Sequence, residues 1–452
     1  MPHLLIIGGS DAGISAALRA REVDASWQVT MVVADAYPNF SICGLPYFLS
    51  GEVADWHHLA HRTRADIEAV GIHLLLDHTA THIDPGAKTV TVQDRQGGTQ
   101  AIAYDRLVIG TGATPHRPAI AGLDQEGVYL LHTMDDSFAV KRHLEEHPPQ
   151  SAIIVGAGYI GLEMAEALAS KGIATTLLQR GAQIHPSVDA VFGDRIAAEL
   201  GRHGVQIVTG ATATQIVPHD GQLHVVGQAD QRWAAELVLV ATGVQPATAL
   251  ARAAGVPLGA DGALRVTRTM ATTLPDVFAA GDCVETHHRL LAEPTYLPLG
   301  TTAHKQGRVA GENAVGGHRL FAGSVGTQAV KVCDVVVART GLLEHEARAA
   351  GYDPLSVDLT TWDHKVYYPG ARELVLRLTG DRMSGRVLGA QILGAWGSEV
   401  AKRIDIIATA LYQDLRIEQL SDLDLSYTPP LSSPWDPIQM VAQVWCTQQR
   451  MR

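Results

Sequence analysis

The stretch Leu4-Leu5-Ile6-Ile7-Gly8-Gly9-Ser10-Asp11-Ala12-Gly13 decides the fold. Its first four residues are a continuous apolar run, the pattern of a parallel strand buried on both faces. A glycine-rich turn follows, then a helix over residues 14–22 and a second strand, Gln28 to Val33, ending near Asp35. Such a turn aims backbone N–H groups from a helix N-terminus at a pyrophosphate. One copy is weak evidence, but the chain supplies a second. Ser151 to Val155 reads as strand, Gly156-Ala157-Gly158-Tyr159-Ile160-Gly161 as turn, Leu162 to Ser170 as helix and Thr175 to Leu178 as strand. This copy matches G-x-G-x-x-G fully, whereas the first has Ser10 at the middle glycine. Two such starts, about 150 residues apart, imply two dinucleotide-binding modules.

Two further apolar runs, Leu107 to Gly112 and Leu237 to Gly243, end on Thr-Gly and bracket the second copy. Residues 113–242 therefore read as one module inserted into another, which is made of 1–112 and 243–324. Val277 to Asp282 is a strand ending in an acid. From about residue 325 the pattern changes. Val330 to Val337 is β-branched and strand-like, and Leu374, Leu376 and Leu378 alternate, as do Leu388, Ala390 and Ile392. Val400, Ile404, Ile407 and Leu411 then form one helical stripe. The expected fold is α/β, with two Rossmann-like domains and a C-terminal α+β domain over 325–452.

Composition narrows the function. Of 452 residues 44 are Gly, above the usual ~7%, which suits tight turns and close backbone approach to ligands. A net charge of −12 argues against a nucleic-acid partner. No apolar run reaches the ~18 residues of a membrane span, and Met1-Pro2-His3 lacks the basic start of a signal peptide. The four cysteines, at 43, 283, 333 and 446, are too sparse for a disulfide scaffold or zinc ribbon and fit a reducing cytoplasm.

The acid that holds an adenosine ribose is expected ~20 residues past the glycine turn. Asp35 lies 22 past Gly13, but the second copy has Gln179-Arg180 there and no carboxylate. Arg180 either pairs with the 2′-phosphate of NADPH or is a surface cation. Cys43 lies in Asn39-Phe40-Ser41-Ile42-Cys43-Gly44-Leu45-Pro46-Tyr47, a turn into a helix with proline in its first turn. A thiol at a helix N-terminus has a lowered pKa. Residue 48 is Phe, so no second cysteine stands at C-x4-C spacing. Sulfur chemistry must then use one cysteine, as a mixed disulfide or a sulfenic acid. His57 and His61 are spaced i,i+4 on a possible helix, but no third ligand is evident and no metal is expected.

Ser41-x-Cys43-Gly44-x-Pro46-Tyr47, Gly158-Tyr159-Ile160-Gly161-Leu162-Glu163 and Ala280-Gly281-Asp282 resemble the flavin- and pyridine-nucleotide-dependent disulfide reductases. Lys402-Arg403-Ile404-Asp405 and Asp424-Leu425-Ser426-Tyr427-x-Pro429-Pro430 extend the likeness over essentially the whole chain. The single-cysteine branch is the one it resembles: coenzyme A-disulfide reductases, NADH oxidases and NADH peroxidases. The resemblance implies that Gly8, Gly9, Ser10 and Gly13 hold the pyrophosphate of FAD, with Asp35, Thr111, Gly112, Gly281 and Asp282 along the same cofactor. It implies NADPH or NADH on Gly156, Gly158, Tyr159, Ile160, Gly161, Glu163, Gln179, Arg180 and Gly243. Tyr159 would cover the flavin until the nicotinamide displaces it, and Glu163 would contact the nicotinamide end. Tyr427 and the Tyr367-Tyr368 loop would reach Cys43 of the partner in a homodimer. Two departures stand out. Asp11 occupies the position where peroxidases and oxidases carry His, and the family's ribose Glu aligns with Val33.

These residues imply an NAD(P)H-dependent flavoprotein that reduces a low-molecular-weight disulfide or persulfide, coenzyme A-linked, through Cys43. Arg19, Arg21, Arg62 and Arg64 are candidate contacts for coenzyme A phosphates, or solvated surface charge. The rival activities are oxygen reduction through a Cys43 sulfenic acid and reduction of another thiophilic acceptor. A nucleotide-binding flavoprotein that signals without turnover is the non-catalytic alternative.

Overall fold

The computed structural model describes residues 1–451. Five parallel strands form the first sheet, in the order Val277–Ala279, Arg106–Ile109, His3–Ile7, Gln28–Val32, Ile72–Leu75. The strand before the first glycine turn is central, and Leu4, Leu5 and Ile6 are fully buried. That explains its unbroken apolar run: both faces are covered, so alternation has no use. The helix Asp11–Val23 covers one face and packs on the helix Gly300–Ala314. The two approach so closely that a Cβ at Gly307 or Gly311 would meet the backbone carbonyl of Ala12 or Ala16.

The second module repeats the plan. Its sheet runs Gln206–Thr209, Ala174–Gln179, Ser151–Val155, Leu237–Val240, Val128–Leu130, again all parallel with the glycine-turn strand central. Each module also carries a three-stranded antiparallel sheet, His78–Asp84 with its neighbours in one and Ala213–His219 with its neighbours in the other. The chain passes between modules along an antiparallel ribbon of Ala113–Pro115 and Val244–Pro246.

The C-terminal part is a five-stranded antiparallel sheet in the order Gln328–Val332, Val335–Gly341, Val387–Ala395, Glu373–Asp381, Pro354–Trp362. The helices Val400–Tyr412 and Pro437–Arg450 bury Ile404, Ile407, Leu411 and Trp445 with the sheet's Leu374, Leu376 and Leu378.

Some sequence-based bounds shift. Both glycine-turn helices start three residues earlier than their composition suggests, at Asp11 and Tyr159, because the turn itself closes the first helical hydrogen bonds, Ile14 N–H to Ser10 and Leu162 N–H to Gly158. The β-branched run Val330 to Val337 is not one strand. It breaks at Cys333, whose φ of 52° turns the chain into a hairpin. Hydrophobicity alone does not report that reversal.

Candidate active site

The two turns close identically. Gly8 and Gly156 have φ of 110° and 109°, where an L side chain is strained. A Cβ at Gly13 would lie 2.0 Å from the Gly8 carbonyl oxygen, and one at Gly161 would lie 1.9 Å from that of Gly156. Helix and strand therefore touch backbone to backbone, leaving the helix N-terminus open to a diphosphate. A cavity of about 550 Å³ opens at the first turn, lined by Gly8, Ala34, Thr79, Thr111, Gln245 and Arg252. It lies beyond the carboxyl ends of the first sheet, where open α/β sheets bind ligands. Asp35 is half-buried beside Ala34, and its carboxylate accepts the Tyr37 N–H at 2.8 Å. Burial is the main cause pushing Asp35 above the usual carboxylate range.

Asp282 follows the strand Val277–Ala279. Burial, with Asp11 adding to it, pushes its carboxyl up to about 6. No protein donor reaches this carboxylate among the described residues, which fits a ligand hydroxyl as its partner. Together with the glycine turn and the cavity, these donors and acceptors fit an FAD.

Cys43 departs from the sequence-based reading in one respect. It sits not at the N-terminus of a helix but in a single 3-10 turn, Ile42–Gly44, just before the helix Leu45–Ser50 that has Pro46 in its first turn. Solvent reaches the residue. Even so, the protein packed around the sulfur pushes its thiol up, and the carboxylates of Glu163, Asp11 and Asp282 push the same way. The expected lowering is thus reversed, chiefly because burial of the sulfur disfavours the thiolate, with the acids adding to it. Phe48 is buried among aromatic rings, its centroid 6.3 Å from that of Phe138. The other cysteines are buried (Cys283, Cys333) or half-buried on the C-terminal helix (Cys446).

On the second module's side, Tyr159 and Glu163 lie on the helix Tyr159–Ser170. Tyr159 sets its ring edge-on to His185, centroids 4.7 Å apart, and its hydroxyl donates to Gln328 of the C-terminal sheet. Burial pushes Glu163 up to about 7. The Tyr47 hydroxyl donates to Glu163 at 3.4 Å, joining the helix Leu45–Ser50 to the second module. Tyr47 stands in the sequence motif around Cys43 but receives no role there, because its partner Glu163 is 116 residues away. Gln179 accepts the Ala157 N–H of the second turn at 3.2 Å, while Arg180 is exposed. Thr111-Gly112 and Thr242-Gly243 lie just past the strands Arg106–Ile109 and Leu237–Val240.

Other candidates are dispersed. Arg19 pairs with Glu312 and Glu22, Arg21 donates to the carbonyls of Val70, Ala25 and Trp27, and Arg64 pairs with Glu68. Arg62 is exposed on a strip whose His61 N–H donates to the Asn39 carbonyl, next to the Cys43 segment. Tyr367 and Tyr427 are both exposed, and the neighbouring Tyr367 pushes the Tyr427 hydroxyl up. Trp362, Tyr368, Trp396 and Trp435 are also exposed in the C-terminal part. His57 stacks on Trp56 within the 3-10 turn Trp56–Leu59, and His61 lies outside it, so the two share no helix face. A different group, Glu199, His203 and Asp334, comes within 4.8 Å of one another. Glu199 already binds Arg202 and the Asp334 N–H, which makes it a latch between the second module and the C-terminal hairpin. No helix among the described residues is long and apolar enough to cross a membrane.

Known proteins share this plan. Residues 327–437 match the dimerisation domain of the pyridine nucleotide-disulphide oxidoreductases. The NAD(P)H coenzyme A polysulfide/persulfide reductase of Pyrococcus horikoshii is 34% identical over 442 residues, 98% of each chain. An NADH oxidase of Methanocaldococcus jannaschii is 29% identical over 97% of each chain. The NAD-dependent persulfide reductase from A. fulgidus has a structure with a TM-score of 0.95 and 36% identity, covering 99% of this chain and 84% of that one. With residues 2–307 matching its main profile as well, the chain belongs to the pyridine nucleotide-disulphide oxidoreductase family.

Proposed function

We propose that the protein is an NAD(P)H-dependent flavoprotein that reduces a coenzyme A-linked disulfide or persulfide through the single thiol of Cys43. One observation carries this reading: Cys43 is the exposed cysteine, in the turn before the helix whose Tyr47 reaches Glu163 of the second module, and Phe48 removes any adjacent second thiol. The division into 1–112 with 243–324, 113–242 and 325–452 belongs to the same proposal.

When bound, FAD supplies a two-electron redox centre between nicotinamide and sulfur. Gly8, Gly9, Ser10 and Gly13 hold its diphosphate, Asp35 and Asp282 its hydroxyls. Gly156, Gly158 and Gly161 hold that of the nicotinamide cofactor. Tyr159 swings aside on binding, breaking its bond to Gln328. The Cys43 thiolate attacks one substrate sulfur; that S–S bond breaks as the new one forms. The partner subunit's Tyr427 holds the leaving sulfur. In balance, NAD(P)H and a proton convert one disulfide to two thiols, or one persulfide to a thiol and hydrogen sulfide. Of the four arginines, Arg62 alone keeps neither a side-chain ion pair nor a side-chain hydrogen bond among the described residues, and it is assigned to the coenzyme A phosphates.

The M. jannaschii relative named NADH oxidase supports a second reading, oxygen reduction at a Cys43 sulfenic acid. One experiment separates them. The holoenzyme and its Cys43→Ser variant are given NADPH or NADH without oxygen, then coenzyme A disulfide, coenzyme A persulfide or oxygen. Thiol production falls to background in the variant while flavin reduction survives. Persistent thiol production rejects the mechanism, and oxygen uptake without any disulfide favours the oxidase.

A further inference from the structure

Tyr159 is both the first residue of the helix Tyr159–Ser170 and part of the second glycine turn, Gly156-Ala157-Gly158-Tyr159-Ile160-Gly161. A diphosphate at that helix N-terminus lies beside its side chain. The half-buried ring is held on two sides. His185 packs edge-on to it, centroids 4.7 Å apart, and the His185 N–H donates to the Ala157 carbonyl of the turn at 2.9 Å. On the other side the Tyr159 hydroxyl donates to Oε1 of Gln328, the first residue of the C-terminal strand Gln328–Val332. Glu163, four residues along the same helix face, accepts the hydroxyl of Tyr47 from the helix that follows Cys43.

Everything around this one hydrogen bond is fixed. On the strand of Gln328, Lys331 pairs with Glu166 of the Tyr159 helix, and the same carboxylate accepts the Cys333 N–H at 2.9 Å. Across the hairpin Gln328 faces Arg339. The buried Arg339 guanidinium donates to the Ser187 carbonyl at 2.7 Å and to Glu346 at 2.7 Å. The buried Gln391 accepts the Asp189 N–H at 2.6 Å and donates to the Asp189 carboxylate at 2.7 Å, which Arg377 also binds. Three side chains of the sheet thus clamp the segment that carries His185. Lifting the sheet from the second module breaks all these contacts together, whereas turning the Tyr159 side chain breaks one. A nucleotide that needs the space of the ring is therefore admitted by Tyr159 alone, with the junction left in place.

We propose that Gln328 is a positioning residue that parks Tyr159 against the nucleotide turn and thereby lowers the affinity for the nicotinamide nucleotide. The proposal deepens the functional reading above and rests on its displacement of Tyr159. A parked ring must leave before the nucleotide is seated, and the apparent affinity scales with the fraction of molecules in which it has left. A side chain of the C-terminal sheet so sets the strength of a site whose glycine turn belongs to another module. Gln328 acts through Tyr159 and is assigned no contact with nucleotide or sulfur.

The test reads binding rather than turnover. NADP+ and NAD+ have no hydride to give, so they bind the oxidised holoenzyme without reducing it, and calorimetric titration gives the Kd of each. Gln328→Ala tightens Kd about two- to tenfold, the worth of one hydrogen bond. Tyr159→Phe keeps the ring, loses the donor and tightens Kd by the same factor. The double variant is no tighter than either single one, because both remove the same contact. Gln328→Glu keeps an acceptor for the hydroxyl and does not tighten Kd, which separates the hydrogen bond from general loosening of the junction. Flavin absorbance and circular dichroism establish that each variant folds, and Tyr159→Phe with Gln328→Glu carries the test if Gln328→Ala does not. Kd values equal to wild type in Gln328→Ala and Tyr159→Phe overturn the proposal, as do additive effects in the double variant or tightening in Gln328→Glu. If the affinities move as expected but Cys43→Ser still produces thiol, the functional reading fails and the Gln328 latch stands. If they do not move while Cys43→Ser is silent, the latch fails and the functional reading stands.

Discussion

The first and second glycine turns have the same backbone and opposite surroundings. Both rest on a glycine with φ near 110°, and both seal helix against strand at a glycine with no room for a Cβ. They differ at the end of the next strand, where one module presents half-buried Asp35 and the other exposed Arg180. They differ again at the first helical residue. Asp11 is tied to His304 of the helix Gly300–Ala314, whereas Tyr159 is tied to Gln328 of the C-terminal sheet. The turn therefore suits a dinucleotide diphosphate. The residues at the strand ends differ in charge, an acid suiting a ribose diol and a cation a 2′-phosphate. The first helical residue links each site to a distant part of the chain.

The largest test of this comparison is a matched pair. Gly13→Ala and Gly161→Ala each force a methyl group against a backbone carbonyl, at a cost of about 1–3 kcal/mol. Gly13→Ala purifies with FAD affinity lowered about ten- to a hundredfold. Gly161→Ala stays yellow and binds NAD(P)H about ten- to a hundredfold more weakly, as titration of the flavin absorbance reports. If either variant loses both cofactors equally, the modules do not act separately. Next in size, Arg180→Ala raises the KM for NADPH about tenfold, the loss of roughly one charge-assisted contact, and leaves that for NADH unchanged. Equal KM values before and after would return Arg180 to the surface cations.

The smallest effect concerns pH. Glu163, pushed up to about 7 by burial, is protonated below that value and a carboxylate above it. Hydride departure leaves positive charge on the nicotinamide, which a carboxylate stabilises. Stopped-flow flavin reduction by NADPH therefore quickens as pH rises through about 7, and Glu163→Gln is slower and flat across that range. A variant that keeps the inflection removes Glu163 from the nicotinamide side.

Much of this architecture is readable residue by residue. Leu4 to Ile7 and Ser151 to Val155 announce buried parallel strands, and the turns after them need glycine for reasons confined to a few bonds. The C-terminal alternation at Leu374, Leu376 and Leu378 likewise reports one buried face. These signals are local, carried by spacing within one element. The hairpin reversal at Cys333 is missed because both arms are equally β-branched. Arg19, Arg21 and Arg64 look alike as free cations, yet their carboxylate and carbonyl partners leave Arg62 apart.

From the sequence by itself come the two dinucleotide modules, the separate C-terminal domain and the single candidate thiol, because periodicity, glycine spacing and the absence of a second cysteine near Cys43 need no knowledge of distant neighbours. Only the tertiary structure decides the character of that thiol. Burial of its sulfur comes first, and the acids that add to it are residues 163, 11 and 282, far apart along the chain. Electrostatic effects depend on separation in space and on burial, and neither can be read from separation along the chain.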